Sequence, residues 1–241
     1  MARSRRRSRE PKRPPEKRKR VNAFLAAALA IGRREADHLI AEGLVRLNGR
    51  LARFYDTVGP KDSVLLRGEP LARRDEVYLA LNKPAGTVTA RRDRYHKTVM
   101  ELLPEELRIV KPVGRLDLPT RGLLVLTTDG AFAQRLLHPR HGIEKEYIVT
   151  LNRRPPLKIL RSRIELEDGP AQFRKVEAVG RKGSPTFKVI LFEGRKRQIR
   201  RMFSAWGYEV KDLIRVRIGR LRLGSLKEGC WRPIRPEDVL R

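Results

Sequence analysis

The sequence predicts an α+β fold in two parts, a small helix–helix–hairpin unit and a larger domain. Three observations point there. Apolar residues make up 40% of the 241, enough for a real core despite 35% charged. Two helical patterns and a tight hairpin come first, and the pattern changes after a charged stretch near residues 71–76. Beyond it, strand-like runs outnumber helical ones and do not alternate strictly with them, which favours α+β over a doubly wound sheet.

Residues 1–20 lack apolar periodicity and hold Pro11, Pro14 and Pro15, so a disordered basic arm is expected. NAFLAAALAI, residues 22–31, reads as a helix with Asn22 as N-cap. A second helix, Arg33 to Glu42, puts Ala36, Leu39 and Ile40 on one face and stops at Gly43. Asn48-Gly49 inside VRLNGRL is a two-residue hairpin turn, and a short strand follows at residues 63–67. With G-R-R-E-A at 32–36, I-A-E-G-L-V at 40–45 and V-R-L-N-G at 45–49, this unit (21–70) resembles the S4-type RNA-binding domain. Gly32 stands where Ser more often caps such a helix. Arg33 and Arg34 fall at the helix N-terminus, where free N–H groups and the dipole favour a phosphate; as ordinary surface arginines they would need no partner.

In the larger part, strands are expected over 77–86, 122–127, 145–151, 172–179 and 186–192, with helices over 98–103, 131–137 and 195–206. The last helix has Ile199, Met202, Phe203 and Trp206 on one face, and Gly207 ends it. Arg195, Lys196, Arg197, Arg200 and Arg201 crowd its first turns, where positive charge opposes the dipole at a cost of roughly 0.3–1 kcal/mol each. Stability does not explain that arrangement. Contact with phosphates does.

Charge narrows the partner. Lys and Arg number 56 against 28 Asp and Glu, a net +28. Residues 1–20 hold eleven basic residues against Glu10 and Glu16, so the other 221 still carry +19. A folded part this basic implies a polyanion, and without a basic amphipathic helix nucleic acid fits better than a membrane. No apolar run is long enough for a signal peptide or a bilayer span. The single Cys230 excludes an internal disulfide and suits a reducing cytoplasm. Four scattered His give no metal-ligand spacing, so no metal is expected.

The most informative segment is G-R-L-D-L-P-T-R-G-L-L-V-L-T-T-D-G, residues 114–130: a polar turn feeding an apolar strand. Spacing alone leaves Asp117 between an Asx-turn role and chemistry. Asp129 reads as a capping or turn residue, and Glu144 and Glu146 as carboxylates facing solvent. No second carboxylate pairs with Asp117 as glycosidase chemistry would need.

Together with L-N-K-P at 81–84, P-V-G-R-L-D at 112–117, K-E-Y at 145–147 and E-G-R-K-R-Q-I-R-R-M at 193–202, this segment resembles the ribosomal RNA pseudouridine synthases of the RsuA type, which carry an N-terminal S4-type domain. Val125 and Thr128 depart mildly from the usual motif, away from its chemistry. The resemblance covers the chain from residue 22 onward. It implies a catalytic domain over 77–241, built on a mainly antiparallel mixed sheet, that isomerises a uridine of ribosomal RNA to pseudouridine. It implies Asp117 as the catalytic carboxylate, Arg200 as its cationic partner, Tyr147 as the residue packing on the uracil, and Arg115 as the arginine holding the target nucleotide out of its stack. Arg33, Arg34, Arg195, Lys196, Arg197 and Arg201 are the expected phosphate contacts. Breaking one glycosidic bond and making another in the same nucleotide needs no redox change, so no cofactor is implied. The strong positive charge makes a monomer the expectation. A non-catalytic RNA-binding or ribosome-assembly protein on the same fold is the rival, and a synthase acting on transfer RNA a second.

Overall fold

In the computed structural model, which describes residues 18–240, the chain divides into two units between Asp75 and Glu76. The first unit runs β1 (Lys19–Arg20), α1 (Val21–Leu29), α2 (Arg33–Ala41), β2 (Val45–Leu47), β3 (Arg50–Leu51), β4 (Thr57–Val58), β5 (Val64–Leu66) and β6 (Glu69–Pro70). Its core is the apolar side of both helices, Val21, Phe24, Leu25, Ala36 and Ile40, against Val45, Leu47 and Val64 of the strands. Asn48 and Gly49 both take positive φ, +51° and +85°, in the turn joining β2 to β3. That is the primed turn whose twist matches a hairpin, and Asn-Gly adopts it at least cost.

Residues 1–17 of the basic arm lie outside the described residues, but its end does not behave as a free tail. Arg18 donates to Asp62 Oδ2 (2.7 Å) and to the Thr57 carbonyl (2.8 Å), and β1 pairs antiparallel with β4. A polar run with no periodicity conceals strand partners forty residues away. Asn22 is not a cap either. It lies inside α1, donating to Asp37 Oδ1 at 2.8 Å and so tying the two helices together.

The second unit runs β7 (Tyr78–Lys83), β8 (Lys111–Pro112), β9 (Arg121–Thr127), α3 (Gly130–Leu137), β10 (Lys145–Leu151), α4 (Leu157–Arg161), β11 (Ile164–Leu166), β12 (Gly169–Ala171), β13 (Lys175–Ala178), β14 (Thr186–Leu191), α5 (Gln198–Ala205), β15 (Val210–Ile218), β16 (Leu221–Arg222) and β17 (Trp231–Pro233). A nine-stranded sheet has the order β13-β14-β10-β15-β9-β7-β17, with β16 beside β15 and β8 beside β9. Every pairing is antiparallel except β15 with β9. The β11–β12 hairpin stands apart as its own two-stranded sheet.

Alternation along the strands builds two layers of core. Leu79, Leu81, Leu124, Leu126, Val149 and Leu213 face one side, where Ile199, Met202 and Phe203 of α5 cover them. Ala80, Leu123, Val125 and Ile218 face the other, covered by Phe132 and Leu136 of α3. β9 is therefore buried on both faces, which is why its sequence is a continuous apolar run. Asp129 caps α3, its Oδ1 accepting from Ala131 (2.9 Å) and Phe132 (3.2 Å) N–H groups.

Several features of this unit depart from the sequence expectation, among them short elements such as α4 and the β11–β12 hairpin. The helix expected from residue 195 begins only at Gln198, because Arg197 sits in the left-handed region at φ +50°. Arg195, Lys196 and Arg197 thus precede the helix and do not load its first turn. Residues 98–103 form a short 3-10 turn, Val99–Leu102, with Thr98 and Glu101 in a capping box. β15 was not expected at all, since Lys211, Asp212, Arg215 and Arg217 break its apolar pattern.

Candidate active site

The loop between β8 and β9 carries Asp117, and it is pinned on both sides of that residue. Before it, the Leu116 carbonyl accepts from Thr89 Oγ1 (2.9 Å) and the Leu116 N–H donates back to it (3.2 Å). After it, the Leu118 carbonyl accepts from the Gly86 N–H at 2.9 Å and, more distantly, from Lys83 Nζ at 3.4 Å. A turn closes from the Thr120 N–H to the Asp117 carbonyl (2.9 Å). The Asp117 carboxylate itself has no hydrogen-bond or ion-pair partner among the described residues. An Asx-turn would need a side-chain oxygen bonded to a nearby N–H. Asp117 makes no such bond, so the turn does not account for its carboxylate.

Lys83 underlies this loop. It has 0% exposure, and its ammonium donates to the carbonyls of Pro84 (2.8 Å) and Thr87 (2.7 Å). Burial lowers its pKa to about 8, against the opposing pull of Asp117 and Glu228.

Asp117 opens onto a cavity of about 250 Å³ at one end of the sheet. Arg115, Asp117, Tyr147, Arg195, Lys196, Arg197 and Arg200 all line it, as do Lys145 and Arg215. Seven cations thus face Asp117 and Glu193, giving a strongly positive cleft. Tyr147 is buried on β10, next to Arg215 across the β10–β15 pairing.

Arg200 lies on α5 and donates Nη1 to the Val210 carbonyl (3.1 Å), while its buried Nε has no partner. Burial and the neighbouring Arg197 lower its pKa, and the charges of Asp117 and Asp212 oppose this. Arg200 and Asp117 therefore feel each other across the cleft without a direct ion pair. Asp212 is itself held by Arg121, Nη2 to Oδ2 at 2.8 Å.

The other expected residues divide. Arg201 is not in the cleft. It forms a two-pronged pair with Asp168, Nη1 to Oδ1 at 3.0 Å and Nη2 to Oδ2 at 2.7 Å. Arg195 also reaches Asp168 Oδ1 (2.9 Å) and donates to the carbonyls of Gly169 (2.9 Å) and Pro170 (2.8 Å). Both arginines clamp the turn between β11 and β12 onto the approach to α5. Arg115, Lys196 and Arg197 are exposed. Arg33 and Arg34 are exposed in the first turn of α2, in the first unit. Glu146 does not face solvent: Arg217 bonds it (3.1 Å) and Glu144 (2.9 Å) beside the β10 bulge.

Four residues escaped the sequence reading. Lys83 and Lys145 lie inside motifs that were visible, L-N-K-P and K-E-Y, and a buried lysine is the signal those motifs conceal. Asp168 and Arg215 have no local signal, because their roles arise from strands that pair over long range.

Comparison with known proteins agrees with this geometry. A family described as RNA pseudouridylate synthase matches residues 77–205. A relative from Aquifex aeolicus, called an uncharacterized RNA pseudouridine synthase, is 40% identical over 228 residues, covering 91% of this chain and 92% of its own. The Bacillus subtilis protein called ribosomal large subunit pseudouridine synthase B is 36% identical, covering 92% and 94%. A crystal structure described as pseudouridylate synthase superposes with a TM-score of 0.65 at 30% identity, over 91% of this chain and 97% of that one. With an aspartate left unbonded in a cationic cleft inside the matched segment, the chain belongs to the RNA pseudouridylate synthase family.

Proposed function

We propose that this enzyme isomerises one uridine of ribosomal RNA to pseudouridine, with Asp117 as the catalytic carboxylate. The observation that carries the reading is the free Asp117 carboxylate, on a loop anchored at Leu116 and Leu118, in a cleft lined by Tyr147 and Arg200. A carboxylate so held meets the C1′ or C2′ side of a nucleotide without first breaking bonds of its own. Tyr147 packs on the uracil. The exposed Arg115 holds the nucleotide out of its stack, a step the reaction requires because the atoms are inaccessible in a helix. Arg200 sets a positive charge across the cleft from Asp117.

Ribosomal RNA as the substrate rests on the Bacillus subtilis relative, whose name specifies the large ribosomal subunit. The first unit serves as an S4-type RNA-binding domain, offering phosphates the N-terminus of α2 with Arg33 and Arg34. Lys196 and Arg197 add phosphate contacts at the cleft mouth. Arg195 and Arg201, engaged by Asp168, act on RNA through the loop they hold. The reaction balances within one nucleotide, so it proceeds without a cofactor or metal. The enzyme works as a monomer in the cytoplasm, where an exposed thiol such as Cys230 stays reduced. Among the described residues no helix is long and apolar enough to cross a membrane.

Mapping pseudouridines in ribosomal RNA from cells with and without the gene tests the assignment. One position should lose its pseudouridine and regain it with the wild-type gene but not with Asp117→Asn. An unchanged ribosomal map together with a lost transfer RNA pseudouridine would move the substrate. No lost pseudouridine in any RNA, with ribosome assembly defective, would favour the non-catalytic rival.

A further inference from the structure

Two buried cations line the cleft without a carboxylate bonded to either. Arg215 is 3% exposed, and its one hydrogen bond runs from Nε to the Leu123 carbonyl at 2.7 Å. Its terminal nitrogens have no acceptor among the described residues, and Nη2 is fully shielded from water. Lys145 beside it is buried too, donating to the Phe192 carbonyl at 3.0 Å, and its pKa is lowered to about 8 by burial and then by Arg215. The nearest compensation is Glu193, a weaker influence on Lys145. Leaving a buried charge unpaired costs several kcal/mol, and the one side-chain bond Arg215 makes to the sheet occupies only Nε. The backbone, by contrast, is built to place it. Gly122 pairs with Arg215 across the single parallel seam, and a Cβ at Gly122 would collide with the Arg215 carbonyl oxygen. Arg215 also stands directly opposite Tyr147 in the β10–β15 register, so both side chains project from the same face of the sheet.

We propose that Arg215, with Lys145 beside it, stabilises the negative charge that the detached uracil carries. This rests on the isomerase reading above. When the C1′–N1 bond breaks, its electron pair stays with the base, giving an N1 anion spread over O2 and O4. That anion turns in place, C5 bonds to C1′, the C5 proton is lost and N1 gains one, so the base ends neutral. Either role for Asp117, attack at C1′ or removal of a C2′ proton, leaves the same anion. A fixed guanidinium at the base of the cleft meets the charge where it develops, without reorganising. Phosphates are met elsewhere, by the exposed Lys196 and Arg197 at the mouth.

The test compares single-turnover conversion of uridine and of 5-fluorouridine placed at the target position of the same RNA. Fluorine withdraws electrons, so the fluorinated base leaves as a more stable anion and depends less on a cation. Arg215→Gln should slow the uridine reaction on the order of 100-fold, with RNA affinity within about twofold of wild type. Loss of 5-fluorouridine should slow at least about tenfold less. Arg215→Lys, which keeps the charge and the fold but has one nitrogen for both the Leu123 carbonyl and the base, should fall between. Equal slowing on both substrates, a folded Arg215→Lys at full rate, or a loss explained by weaker binding would each overturn the proposal. So would failure of both variants to fold, which would assign the guanidinium to the sheet alone. A wild-type enzyme inactive on every RNA would instead sink the isomerase reading, and this proposal with it.

Discussion

Lys83 shows how much of the site lies in residues that never meet the substrate. Its ammonium gathers three carbonyls, one of them from Leu118 next to Asp117. Lys83→Met leaves the Pro84 and Thr87 carbonyls without their ammonium donor and should destabilise the protein by about 3 kcal/mol, measured by urea unfolding, with slower turnover as the loop loosens. The pH dependence has a definite sign. Burial holds the native Lys83 pKa at about 8, below its ordinary 10.5, so above pH 8 the unfolded chain binds more protons than the native one. Its contribution to stability therefore rises with pH from about 8 to about 10.5, and unfolding midpoints of Lys83→Met should rise less over that window. Gly122→Ala is a second check. At φ +106°, facing the Arg215 carbonyl, it should cost about 2–3 kcal/mol or abolish folding, whereas Gly49→Ala, also at positive φ but in open space, should cost less. At this scale the sequence is uneven. Asp117, Tyr147 and Arg200 were legible because local motifs surround them. Lys83, Lys145 and Arg215 were not, because whether a lysine or arginine is buried depends on which strands close over it.

Among elements, the β11–β12 hairpin and the approach to α5 form one mechanical piece through Asp168. Arg201 and the adjacent Arg195 hold its carboxyl below the usual carboxylate range. Asp168→Ala frees Arg201 and removes one of the acceptors of Arg195, loosening the segment that carries Lys196 and Arg197. It should raise the RNA concentration for half-maximal rate several-fold, with a smaller effect on the rate at saturation; the reverse split would place Asp168 closer to the chemistry. The main strands and α3 were readable from periodicity, and β10 matched its expected bounds, 145–151. β15 was not, because charged residues interrupt its apolar pattern and three of them find their partners at long range: Arg121 for Asp212, Glu144 and Glu146 for Arg217, and the Leu123 carbonyl for Nε of Arg215. The start of α5 was misjudged because nothing in E-G-R-K-R-Q announces a left-handed Arg197.

For the molecule as a whole, the positive charge is the property most open to experiment. Both units bear basic residues, so RNA affinity should fall steeply with salt, and the slope reports how many phosphates are neutralised. Deleting residues 1–17, with eight basic and two acidic residues, should flatten that slope and weaken binding to RNAs of any sequence alike. The two-part organisation was legible from the composition change near residues 71–76, since each part carries its own apolar pattern. What most directly tests the account is tritium release from ribosomal RNA labelled at uracil C5. Wild-type protein should release label from one uridine per RNA, and Asp117→Asn, folded and still binding, should release none. Equal release by both would remove the Asp117 carboxylate from the reaction.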